Sequence, residues 1–137
     1  YQSGNIHDPL VLSGISWVRE RLVRLFKRHG AIEVSTPLLM PYLTMEASAS
    51  GQASRPACFL DSNGMLVQLP RDLITPFARL VAHTGITDLK RFVFDRVFRE
   101  NIAGGGQPKQ PFECDFDIVH AQPQGGRLEE AEVIRVA

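Results

Sequence analysis

Hydrophobic and polar positions alternate along this chain with two different periods, and the switches between them mark out the elements. Over residues 10–29, "LVLSGISWVRERLVRLFKRH", apolar residues recur at helical spacing. Leu12, Ile15, Val18, Leu22, Leu25 and Phe26 form one stripe of an amphipathic helix whose simplest role is core packing. Lys27, Arg28 and His29 fill its last turn, where the macrodipole favours cations, and Gly30 suits the residue beyond the end. "AIEVSTPLLMP" (31–41) reads as a strand broken by Pro37 and Pro41, which belongs at a sheet edge because proline removes a ladder donor. "MEASASGQASRP" (45–56) is small and polar, a loop or an insertion. "CFLDSNGMLVQL" (58–69) predicts a hairpin turning at Asn63-Gly64.

A second helix is predicted over "DLITPFARLVAHTG" (72–85), with Asp72 as N-cap and Gly85 as terminator; Leu73, Phe77, Leu80 and Val81 form its buried stripe. Period-two alternation returns in "RFVFDRVFRE" (91–100), with Phe92, Phe94 and Phe98 on one face, and again in "PFECDFDIVHA" (111–121). In the latter, Phe112, Cys114, Phe116 and Ile118 share one face while Glu113, Asp115 and Asp117 share the other. "GRLEEAEVIRVA" (126–137) opens a further helix. Hairpin-linked strands with helices between some of them predict an α+β fold with a mainly antiparallel sheet.

Composition narrows the picture only a little. The chain has 137 residues, 44% of them apolar, which suits one domain with a real core. Its formal net charge of zero makes no global electrostatic case for nucleic acid. No apolar run is long enough for a membrane span and no signal-peptide pattern is visible, so a cytoplasmic, membrane-free protein is expected. Cys58 and Cys114 lie in apolar runs and are expected to be reduced. With no C-x-x-C pair and four scattered histidines, no metal site is expected, nor any cofactor. The chain opens on Tyr1 and closes inside a helical pattern, so it is expected to be a single partial domain (1–137) of something longer.

The order of elements resembles the catalytic core of class II histidyl-tRNA synthetases, an antiparallel sheet flanked by helices. "IEVSTPLL" is similar to motif 1 (about 31–41), the proline-containing dimer-interface element of that class. "FDRVFRE" through "DFDIV" is similar to motif 2 (about 91–119), which grips ATP and the acceptor end of tRNA, and "DLITPFAR" resembles the family's "DLTVPFAR". Motif 3 would lie beyond Ala137. "EVSTPLLMP", "LPRDL", "RVFR" and "PKQ…ECDFDIV", with the Arg99-to-Glu113 spacing and the Pro108-Lys109 pair, resemble in more detail the synthetase-like regulatory domain of the starvation-sensing kinases that act on translation initiation factor two alpha.

The resemblance implies roles that the residues fill only partly. Adenylation needs cations around a reacting triphosphate. Arg99 stands where the motif 2 arginine contacts the α-phosphate; it could equally be a strand-end arginine pairing with Asp115 or Asp117. In the loop that follows, Ile102 and Gln107 stand where further phosphate-clamping arginines are expected, and the loss of one such clamp costs several kcal/mol of transition-state stabilisation. Glu113 replaces a glutamine of the amino-acid pocket and Ile74 a threonine. Asp72 and Asp117 keep acids that could hold an α-ammonium group; the alternatives are that Asp72 is simply a helix cap and that the Asp115–Asp117 face is simply a wetted sheet face.

The resemblance therefore implies a non-catalytic domain, a degenerate ATP and amino-acid site that binds uncharged tRNA and regulates a Ser/Thr kinase domain in the same chain. Arg99 and Lys109 are its candidate RNA contacts; Arg24, Lys27, Arg28, Lys90, Arg91 and Arg96 are further cations, dispersed in sequence. A homodimer interface is expected around Val34, Pro37, Leu38 and Leu39 together with the first helix. Two other readings stay open: an active, divergent histidyl-tRNA synthetase, and the synthetase-like regulatory subunit of histidine biosynthesis.

Overall fold

The structure is a computed structural model that describes residues 8–42, 56–99, 109–121 and 127–137. Helix α1 (Pro9–Arg28) begins where Asp8 accepts a hydrogen bond from the Leu10 amide at 2.9 Å and Pro9 supplies a preset φ. It ends as predicted: Gly30 takes a φ of +76°, and the chain turns back as the Ala31 amide donates to the Phe26 carbonyl.

The predicted strand over 31–41 becomes two short strands in different sheets. β1 (Ile32–Glu33) is an edge strand that runs parallel to β5 (Asp88–Arg96), and β5 pairs antiparallel along its whole length with β6 (Phe112–His120). β2 (Met40–Pro41) is the edge of a second sheet, in which β4 (Leu66–Gln68) lies between β2 and β3 (Cys58–Leu60). Pro41 thus sits where the missing N–H costs no ladder bond. The β3–β4 turn is longer than a two-residue Asn-Gly turn. Asp61 Oδ1 accepts from the amides of both Asn63 and Met65 at 2.8 Å, and Gly64 takes φ +76°. Cys58, read as lying in an apolar strand, is exposed on β3.

Helix α2 (Ile74–Thr84) closes on Gly85 in the left-handed region. Asp72 lies one residue ahead of the N-cap, which is Leu73, yet its Oδ1 still accepts from the Thr75 amide at 2.7 Å. Helix α3 (Arg127–Val136) follows β6. Among the described residues no helix is long and apolar enough to cross a membrane.

The β5–β6 ribbon carries two buried faces. On one, Phe92 and Phe116 pair across the strands and stack under Phe26 of α1, each ring centroid 5.3 Å from that of Phe26. Ala31, Leu22, Val23, Cys114 and Val136 complete this cluster. On the other, Val93 and the following Val97 pack with Leu73. The α1 stripe is shorter than its periodicity predicts: Phe26 is buried and Ile15, Leu22 and Leu25 are half-buried, while Leu12 and Val18 are exposed.

Candidate functional site

The strand register decides which side chains meet. Arg91 lies opposite Asp117, Val93 opposite Asp115 and Asp95 opposite Glu113, so the three carboxylates predicted to share a face of β6 do so. The Leu73 segment and α2 lie over this face, and it is not simply wetted. Arg91 is fully buried, with 0% of its surface exposed. Its Nε donates to Asp117 Oδ2 at 2.7 Å, its Nη2 to the Leu73 carbonyl at 3.0 Å and its Nη1 to the Val34 carbonyl at 3.4 Å. The guanidinium also lies 3.5 Å from the centroid of the Phe77 ring. A planar cation with five donors can satisfy all of these partners at once, where a lysine could not.

Beyond Arg96 the ribbon continues as irregular pairing. The Val97 amide donates to the Pro111 carbonyl, and Arg99 and Lys109 exchange backbone hydrogen bonds at 3.0 and 2.8 Å. This places the Arg99 side chain against Glu113, and the two form a charged hydrogen bond. The partner is neither Asp115 nor Asp117, as the sequence suggested: Asp117 is taken by Arg91, and Glu113 is the acid nearest the end of the ribbon. Lys109 is exposed.

Asp72 joins the cluster from the start of α2. Its carboxylate receives the Thr75 amide and lies 3.4 Å from the Arg71 guanidinium. A shallow cleft open to solvent runs from here along Gln68, Arg71, Thr75 and Arg79. Asp115, at the centre of the floor, has no hydrogen bond or ion pair among the described residues. Burial pushes its carboxyl above the usual range; Asp117, Glu113 and Asp72 push the same way, and Arg91 opposes them. On the reverse face burial pushes the Cys114 thiol up to about 11, with Asp115 adding to the rise and Arg19 opposing it, so this cysteine is a poor nucleophile.

The structure thus brings Asp72, Arg99, Glu113 and Asp117 together. Ile74 begins α2 and is mostly exposed. Ile102 and Gln107 lie outside the described residues. Of the expected interface residues, Pro37, Leu38 and Leu39 are exposed, and Val34 is half-buried with its carbonyl accepting from Arg91. Sequence reasoning placed Arg91 only among dispersed cations. The signal that could have found it was its place opposite Asp117 once the two alternating runs are paired, an opposite-charge cross-strand pair.

The fold and this arrangement define a class II histidyl-tRNA-synthetase-like core. The chain superimposes with a TM-score of 0.74 on an ATP phosphoribosyltransferase regulatory subunit/histidyl-tRNA synthetase from Bacillus halodurans, at 21% identity, covering 94% of this chain and 33% of that one. No protein-family model matches. The chain is 33% identical over 122 residues, 85% of its length, to the cytoplasmic histidine–tRNA ligase of Arabidopsis thaliana, of which it covers 14%. It is 47% identical over 102 residues, 74% of its length, to the eIF-2-alpha kinase GCN2 of Mus musculus, of which it covers 6%. The chain belongs to the histidyl-tRNA-synthetase-like domains of the GCN2 kinases.

Proposed function

We propose that this domain is a regulatory pseudo-synthetase that binds uncharged tRNA, forms a homodimer and controls a Ser/Thr kinase domain in the same chain in the cytoplasm. The similarity to GCN2 supports the attached kinase. The observation that carries the loss of catalysis is the Arg99–Glu113 pair. If Arg99 is the motif 2 arginine, it is the cation that should meet the α-phosphate of ATP. A glutamine at 113 would leave its charge free, whereas the glutamate present occupies it. The two acids that could hold an α-ammonium group are engaged as well, Asp117 by Arg91 and Asp72 by Arg71 and the Thr75 amide. A negatively biased floor with its cations committed does not stabilise the charge that develops in attack on a triphosphate. The substitutions at Ile74, Ile102 and Gln107 support the same reading.

The test is histidine-dependent ATP–pyrophosphate exchange by the complete polypeptide. No exchange above background is expected; sustained turnover would establish an active synthetase instead. Exposed Ile32, Leu38 and Leu39 within the motif 1 segment support dimerisation. Sedimentation equilibrium should give a dimer at micromolar concentration, and a monomer at high micromolar concentration would count against it.

A further inference from the structure

Helix α1 holds five of the chain's fifteen Lys and Arg residues and one acid, so a neutral chain has one strongly basic element. Their placement is not uniform. At 100° per residue, Trp17, Arg21, Arg24 and Arg28 fall within a band about 60° wide, on the side of the helix opposite Leu22 and Phe26. Trp17 therefore stands in the middle of the polar face, away from the core formed by the described residues, and it is 59% exposed. Arg21 lies 4.8 Å from its ring centroid, and Arg24 and Arg28 continue the band as exposed side chains. The competing contacts are weak. Glu20 reaches Arg24 at 3.7 Å between exposed groups, and Arg28 has no ion pair among the described residues.

An exposed indole followed by three guanidinium groups over roughly 16 Å of helix is a combination with a chemical meaning. Every nucleobase offers a π-face to an indole, and each flanking phosphate offers a bidentate partner to an arginine. An acidic peptide would use the arginines but leave the tryptophan idle. We propose that the Trp17–Arg21–Arg24–Arg28 band of α1 binds a single-stranded RNA segment, with a base on Trp17 and phosphates on the arginines. This rests in part on the tRNA-binding reading above; it assigns that binding a surface away from the Arg99 floor and leaves the dimer contact to the Ile32, Leu38 and Leu39 segment, not to this band of the first helix.

Trp17 is the only tryptophan in these 137 residues, and the part of the emission change that Trp17→Leu abolishes reports the site. The full chain is titrated with a twelve-nucleotide oligouridylate, with deacylated tRNA and with polyglutamate of matching charge. Both RNAs should quench Trp17, and binding should weaken with salt. The triple variant R21Q/R24Q/R28Q should bind labelled RNA at least tenfold more weakly, with a log–log salt slope smaller by about 2, as three released phosphate contacts on a single strand require. Trp17→Leu should cost about tenfold in the anisotropy of labelled RNA with the salt slope unchanged. All four side chains are exposed, and circular dichroism should be the same for every variant. If deacylated tRNA binds while Trp17 emission and the triple variant's affinity stay as in the parent, this inference falls and tRNA sensing stands. If the oligonucleotide quenches and deacylated tRNA does not bind, tRNA sensing falls and this surface stands. Quenching by polyglutamate equal to that by RNA would overturn the assignment in favour of an acidic protein partner.

Discussion

The two faces of the β5–β6 ribbon come from the same run of paired residues and are held by opposite physics. On the aromatic face, Phe92, Phe116 and Phe26 gain from removal of apolar area and from ring stacking, contributions that are non-directional and fall off gradually as atoms are deleted. On the carboxylate face, Arg91 is held by Asp117, two carbonyls and the Phe77 ring, and each contact depends on the others being present. A buried ion pair adds little net stability relative to apolar residues of the same shape, but losing one partner strands a charge. The difference is that the first face sets how stable the domain is, and the second fixes which segments are locked together: the residue after β1 through Val34, the approach to α2 through Leu73, and β6 through Asp117.

The sharpest way to break this comparison is Arg91→Ala. It leaves Asp117 facing a cavity, and urea unfolding should show a loss of about 3–5 kcal/mol. Phe92→Ala should cost a similar amount, about 3–5 kcal/mol, by cavity formation. The two faces separate in the next experiment. The double variant Arg91→Met with Asp117→Leu should regain most of the loss seen for Arg91→Ala, because no charge stays buried. A double variant as unstable as the single one would mean that Arg91 contributes through its carbonyl and ring contacts, not through the pair.

A smaller effect is expected at the rim of the aromatic face. Glu132 of α3 receives the Lys90 ammonium at 2.7 Å and lies 3.1 Å from His29 Nδ1. Hydrogen bonds from Lys90 and then from His29 hold its carboxyl below the usual range. A depressed acid contributes stability above its unfolded pKa and loses it as pH falls through the folded value. Glu132→Gln should therefore speed amide exchange in α3 at neutral pH, and the difference from the parent should vanish in acid.

Asp115 should show the opposite sign. Its carboxyl is pushed up by burial, so the folded state holds the proton more tightly than the unfolded one, and stability falls as pH rises through the interval between the two pKa values. Asp115→Asn should be slightly more stable than the parent at neutral pH, with the gain disappearing below the ordinary aspartate range. A gain that persists in acid would point to packing instead of charge. The smallest structural effect belongs to Glu113→Gln, which should leave unfolding almost unchanged while freeing Arg99. Calorimetry should then show a non-hydrolysable ATP analogue binding the variant more tightly than the parent.

Much of this was legible before any coordinates. The C-terminal end of α1, the left-handed Gly30 and Gly85, the β3–β4 hairpin and the segregation of Glu113, Asp115 and Asp117 from the aromatic side chains all follow from local rules of period and turn chemistry. The reach of the α1 stripe did not. Periodicity shows which side of a helix is apolar, not which of its residues meet the sheet. Arg91 was missed for a related reason: on an alternating pattern it counts as a polar position, and only strand pairing shows that this polar face is also covered.

Local sequence alone determined how α1 and α2 end and which side chains share a face, because these depend on spacing and residue type. Tertiary structure decided the partners. Arg99 meets Glu113 and Arg91 is buried against Asp117, while Asp115 forms no ion pair among the described residues, because register and burial bring together groups far apart in the chain. Charge interactions depend on distance and on the exclusion of water, and neither is written in the order of residues.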